Sequence, residues 1–204
     1  IDTLKSNWIV ASAAVVAAWA AVGQAKEFIE IGAKAEQAAD SFRLVGEASK
    51  IGVDNLLANL KRASAGTVDE SDLMQASVKG MILGLDASQL VTIMEGARVA
   101  ARYAGTDVKT AYEEITNAIG TEMPRRLKQY GLITKEEMKD VTAAIATNID
   151  GQKLLFDLAA AHMAVNAAKF GELSANTAEQ IQVFDATVHE LKEGFGTGLT
   201  SAFQ

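Results

Sequence analysis

Apolar residues recur along most of the chain at spacings of three and four, the period of an amphipathic helix. No stretch alternates apolar and polar residues for long enough to argue a strand. The pattern predicts an all-α fold. It opens on an uncharged segment, WIVASAAVVAAWAAVGQA from Trp8 to Ala25, with Lys5 before it and Lys26 after it. Helical periodicity continues beyond that segment. Phe28, Ala35 and Phe42 stand seven apart, and so do Ile31, Ala38 and Val45, which together form an a/d seam. Glu30 and Lys34 lie off the seam at i,i+4, in the favourable order. A helix from Leu4 to about Val45 would be about 60 Å long, too long for the core of a compact domain of this size. It reads either as a bundle helix packing on its neighbours or as a self-associating stalk.

Past Val45 the pattern breaks into short helices opened by caps and closed by glycines. Asp54 opens NLLANLKRAS, and Gly66 closes it. Thr67-x-x-Glu70, Asp86-x-x-Gln89 and Thr134-x-x-Glu137 have the form of capping boxes. Asp107 opens VKTAYEEITNAI, Pro124 falls in a first turn, and Gly105, Gly120 and Gly131 sit where helices stop. A helix from about Gln152 to Phe170 follows, and Thr177-x-x-Gln180 opens a last one toward Glu193. Core stripes are predicted at Leu56, Leu57 and Leu60, and at Leu73, Met74, Val78, Met81 and Ile82. Two more take in Leu90, Ile93, Met94, Ala97, Val99 and Ala101, and then Tyr112, Ile115 and Ile119. The organisation that follows is a long apolar, coiled-coil-like helix over 1–48, a compact helical module over 49–133 and C-terminal helices with a glycine-rich end over 134–204.

Composition narrows the chemistry. The 204 residues include 37 alanines, 16 glycines, one proline and no cysteine, and aromatics make up only 6% against 49% hydrophobic residues, so much of the apolar content is small side chains. Without cysteine there is no disulfide framework, thiolate metal site or cysteine nucleophile. The two histidines, His162 and His189, have no partner at ligand spacing in the sequence. The net charge of −7 is spread along the chain, and no polybasic arm argues for specific nucleic-acid binding or for an anionic membrane surface. The glycines of Gly194-Phe195-Gly196-Thr197-Gly198 follow no strand and precede no P-loop lysine, so they read as a turn. Arg125, Arg126 and Lys128 read as a solvated helix face, and Glu113-Glu114 and Glu136-Glu137 as surface pairs unsuited to glycoside hydrolysis. No catalytic residue, cofactor or metal ligand is expected. The segment at 8–25, with Trp8, Ile9, Val10, Val15, Val16, Trp19 and Val22 as its large apolar residues, has 18 residues, half of them alanine or glycine. That is the short edge of a membrane span, and small residues also suit close helix packing between chains. The chain begins at Ile1 without an initiator methionine and reads as an excerpt of a longer or processed protein.

The run from Leu56 to Leu132 carries an ordered series of local features: the ASAGTV turn (Ala63 to Val68), the DLM start (Asp72 to Met74), the LGLD turn (Leu83 to Asp86), ARVAARYAGTDV (Ala97 to Val108) and AYEEITNAIG (Ala111 to Gly120). It ends on a leucine-containing helix and the turn QYGLI, where the family pattern often has asparagine-leucine-glycine-isoleucine. This run resembles a module of the tail tape measure proteins of long-tailed bacteriophages and prophages, and the match covers about 54–133. More loosely, ELKEGFGTGLTSAF (Glu190 to Phe203) looks like a later helix and glycine turn of such proteins. The resemblance implies a structural component at or near the tail tip that sets tail length and assists assembly and genome ejection. It implies a homo-oligomer, a trimer before a hexamer, with Phe28, Ile31, Ala35, Ala38, Phe42 and Val45 as its seam. The implied partners are the tail tube, baseplate and distal tail proteins, with the host envelope met transiently during infection; the implied location is the virion. Two rivals come from other classes: a membrane-active, pore-forming or adaptor helical protein working through 8–25, which liposome leakage would reveal, and a helical wall hydrolase.

Overall fold

A computed structural model describes residues 29–147 and 150–170, together with residues 182, 183, 185–187, 189, 190 and 193. The fold is all-α, with no strand among the described residues. Helix α1 covers residues 29–48. It is followed by α2 (Val53–Ser64), α3 (Glu70–Ile82), α4 (Ala87–Ala104), α5 (Val108–Gly120), α6 (Pro124–Lys128), α7 (Lys135–Ala146) and α8 (Gly151–Phe170). The described residues between 182 and 193 are helical as well. The N-terminal part of the long helix expected from Leu4 lies outside the described residues.

Local chemistry fixes most of the helix starts. Asp86 accepts the amide of Gln89 at 2.8 Å while the Gln89 side chain accepts the amide of Asp86 at 2.9 Å, a complete capping box. Thr134 and Glu137 make the same reciprocal pair at 3.2 and 2.8 Å. Asp107 caps α5 through the Thr110 amide at 2.7 Å, and Pro124 occupies the first turn of α6. Two starts differ from the sequence expectation. The Thr67 hydroxyl donates to the Ser64 carbonyl at 2.7 Å, so it is spent on closing α2, and Asp69 caps α3 instead by accepting the Asp72 amide. Helix α2 is preceded by Gly52, and Asp54 sits in its first turn, where a negative charge favours the helix dipole.

Residues Ala38–Val188 form one compact unit. A second unit takes in residues before Ala38 and from His189 onward. Within the larger unit, α4 is central and packs against α2, α5 and α8. Its Leu90, Ile93, Met94 and Ala97 are fully buried, and each of the larger side chains contributes on the order of 1.5–3 kcal/mol on leaving water. Helix α5 sets Tyr112, Ile115 and Ile119 against them, with the Tyr112 hydroxyl 3.0 Å from Ser77 Oγ of α3. Helix α8 adds Leu155, Ala159 and Met163 to the same core, and at its start the Gln152 amide donates to the Leu83 carbonyl at 2.8 Å. Ile82, expected in the core, is 68% exposed. Its neighbour Met81 takes the inward position at 4% exposed, and Ile82 is the last residue of α3, where the helix ends and its stripe no longer faces a neighbour.

Candidate interaction surface

The sequence places its candidate sites near the N-terminus, and the structure reaches only part of them. Trp8, Ile9, Val10, Val15, Val16, Trp19, Val22 and Phe28 lie outside the described residues. Of the remaining seam, Ile31 and Ala35 are half-buried. Ala38 and Phe42 are 4% and 3% exposed within the compact unit, and Val45 packs against its core. The later seam positions are thus covered by the chain itself. Among the described residues, no helix is long and apolar enough to cross a membrane.

Several titratable groups of the described residues tie one helix to another. His162 Nε2 lies 2.9 Å from Glu137 Oε2, pinning α8 to the start of α7. His189 Nδ1 is 3.2 Å from Glu193 Oε1, one turn on. Both histidines therefore have carboxylate partners, and only the i,i+4 pair of His189 and Glu193 is a spacing that the sequence displays. For His162 the partner is distant in sequence, and only the α7–α8 packing brings it near. Hydrogen bonds from the Thr134 backbone and hydroxyl, then His162, hold the Glu137 carboxyl below its ordinary range. Glu114 accepts from the Tyr130 hydroxyl at 3.0 Å and from the Gln129 amide. Burial and that carboxylate push the Tyr130 phenol up to about 12, and burial pushes Tyr112 up as well. Both phenols thus stay protonated at neutral pH and act as hydrogen-bonding packing groups.

A concave surface open to solvent is built by the connection from α5 to α7. Glu122 adopts a positive φ of 54°, which turns the chain sharply after α5, and Met123 then leads into Pro124. Leu127 points fully inward, so Arg125 and Arg126 on the same short helix are left facing outward. On α7, Val141 is the inward residue, and Met138, Thr142, Ala143 and Ala146 turn toward α6. Between the two helices runs a groove of about 1040 Å³ with Met123, Pro124, Met138 and the α7 alanines as its floor. Arg125 and Arg126 stand on one wall, Lys139 on the other, and Glu122 at the turn. The sequence reading of Arg125 and Arg126 as a solvated face agrees with their exposure. The apolar floor beside them had no signal in the sequence, because its residues come from two separate helices and most are exposed. No family model, curated protein or solved structure matches the chain.

Proposed function

We propose that the chain is a segment of a phage tail tape measure protein, a structural component at or near the tail tip that sets tail length and assists assembly and genome ejection. The observation that carries the reading is the ordered run of turns and helix starts over 54–133. In the fold these stretches are successive punctuation points: Ala65 and Gly66 in left-handed conformation, Gly84 before the Asp86 cap, Gly105 before the Asp107 cap, and Gly131 before the Thr134 cap. The all-α fold also suits a ruler, since helical rise converts residue number into length at about 1.5 Å per residue. On this reading the chain is not an enzyme and carries no cofactor. It assembles as a trimer, or as a hexamer, with the tail tube and baseplate around it, and meets the host envelope only during ejection.

The test is made on the parent protein in its particle. In-frame deletions in its long helical part shorten the tail by roughly 1.5 Å per residue removed, as read by electron microscopy of purified particles. Unchanged tail length refutes the ruler. Deletions within 54–133 block tail assembly instead, because they remove core helices of a compact unit and not a stretch of extended rod.

A further inference from the structure

We propose that the groove between α6 and α7 is a docking site for an acidic amphipathic helix of a partner protein. The floor is apolar and open to water: Met123 is 48% exposed, and Met138 and Ala143 continue the same surface. Methionine is unbranched and adaptable, which suits a floor that moulds to incoming side chains. The walls carry the opposite character. Arg125 and Arg126 rise from α6 and Lys139 from α7, and Glu122 is the one acid of the groove's own lining, so that lining is net positive in a chain of net charge −7; Arg126 also borders the adjoining cleft lined by Glu113 and Glu114. Among the described residues no ion pair engages these three cations.

An occupant must therefore bring an apolar stripe flanked on both sides by carboxylates. A helix with leucine-like residues at i, i+3, i+4 and i+7 and Asp or Glu beside them has that form, and laying such a helix in a groove is a recurrent mode of recognition. The charged walls orient the helix and speed its capture, and the buried stripe holds it. A phosphate backbone would satisfy the cations and leave the methionine floor in water, so a nucleic acid fits the groove poorly. The groove does not rest on the ruler reading: unchanged tail length leaves it intact, and failure of docking leaves the ruler intact.

The experiment uses the full 204-residue chain and a fluorescein-labelled synthetic peptide of about 18 residues, long enough to be helical. The peptide has leucines at the stripe positions and glutamates on both flanks, and its counterpart replaces the glutamates with lysines. In fluorescence anisotropy the glutamate peptide binds about tenfold more tightly than the lysine peptide, and added salt weakens it. Arg125→Glu/Arg126→Glu/Lys139→Glu inverts the preference. Ala143→Trp, at an exposed floor position, fills the groove without touching a charge and weakens the glutamate peptide about tenfold. Circular dichroism establishes that each variant keeps its helix content; if the triple variant does not fold, Ala143→Trp carries the test. Equal binding of both peptides, or glutamate-peptide binding that survives Ala143→Trp, overturns the proposal. So does displacement of the peptide by phosphatidylglycerol vesicles that bind through the same arginines, which makes the groove a lipid site. A fall in sedimenting mass on Ala143→Trp would assign the groove to a second copy of the chain, and overturns it too.

Discussion

A Cβ on Gly96 would lie 2.1 Å from Met163 Sδ and 2.4 Å from its Cγ, so this glycine is what lets α8 close onto α4. The end of a methionine can swing aside, but Cγ is near the root of the side chain and moves only with the helix or a rotamer change. Gly96→Ala therefore costs about 1–3 kcal/mol through overpacking, despite alanine's better helix propensity. Urea denaturation measures it as a fall in midpoint at unchanged slope. The cause is separable by a cycle with Met163→Ala. Truncating buried Met163 is damaging alone, and in the Gly96→Ala background it costs less by about 1 kcal/mol or more, because the clash is gone. Simple additivity of the two substitutions would mean that the α4–α8 approach is not limited by this pair.

At the scale of elements, α7 is held at its start by one carboxylate with two tasks. Glu137 accepts the Thr134 amide at 2.8 Å as the returning half of the capping box, and it meets His162 of α8 at 2.9 Å. Its pKa is lowered in the fold, so its contribution to stability is complete above the unfolded value of about 4.3 and is lost as pH falls through the folded one. Glu137→Gln keeps a capping side chain and loses the charge. Melting of the two proteins between about pH 3 and 8 should show the variant less stable near neutrality, by less than about 1 kcal/mol for so exposed a group, and equal to the parent in acid. Burial pushes the Asp86 and Asp107 carboxyls up and cap hydrogen bonds bring them lower still, but both groups are common to the two proteins and cancel in the difference. A gap that persists unchanged below pH of about 3 would show that charge is not what Glu137 contributes. The Thr134–Glu137 box was legible in the sequence because capping is local chemistry with a fixed spacing, and so was Asp86–Gln89. Thr67 misled because a hydroxyl beside a left-handed turn has a second acceptor within reach. Ile82 misled because a stripe at helical spacing does not say where the last turn of a helix stops facing its neighbours. The α6–α7 groove was invisible for a different reason: a surface assembled from Met123 and Met138 depends on how two helices approach, and no periodicity records that.

For the molecule as a whole, the question is which residues remain available for self-association. The buried core, from Ala38 to Met163, lies within the compact unit Ala38–Val188. Ala38 and Phe42, two positions of the N-terminal seam, are spent in that core. A coiled-coil seam needs its a and d positions facing a partner helix, and a side chain cannot be buried at once in its own domain and between chains. The self-association proposed above is then left to Phe28, Ile31, Ala35 and the residues before them. The expected outcome is a division of labour. A fragment spanning 38–188 is expected to unfold in one cooperative urea transition and to stay monomeric by light scattering, because it retains the core and lacks Phe28, Ile31 and Ala35. On the proposed reading the full chain associates, and Ile31→Asp in the full chain, at a half-buried position outside the compact unit, breaks the assembly while leaving the midpoint of the full chain's main unfolding transition unchanged. A fragment that associates as strongly as the full chain would move the contact onto the compact unit, with the exposed faces of α1 and α8 at Leu44 and Val165 as the first surfaces to substitute. A fragment that unfolds gradually would mean that residues outside 38–188 are needed to complete the core.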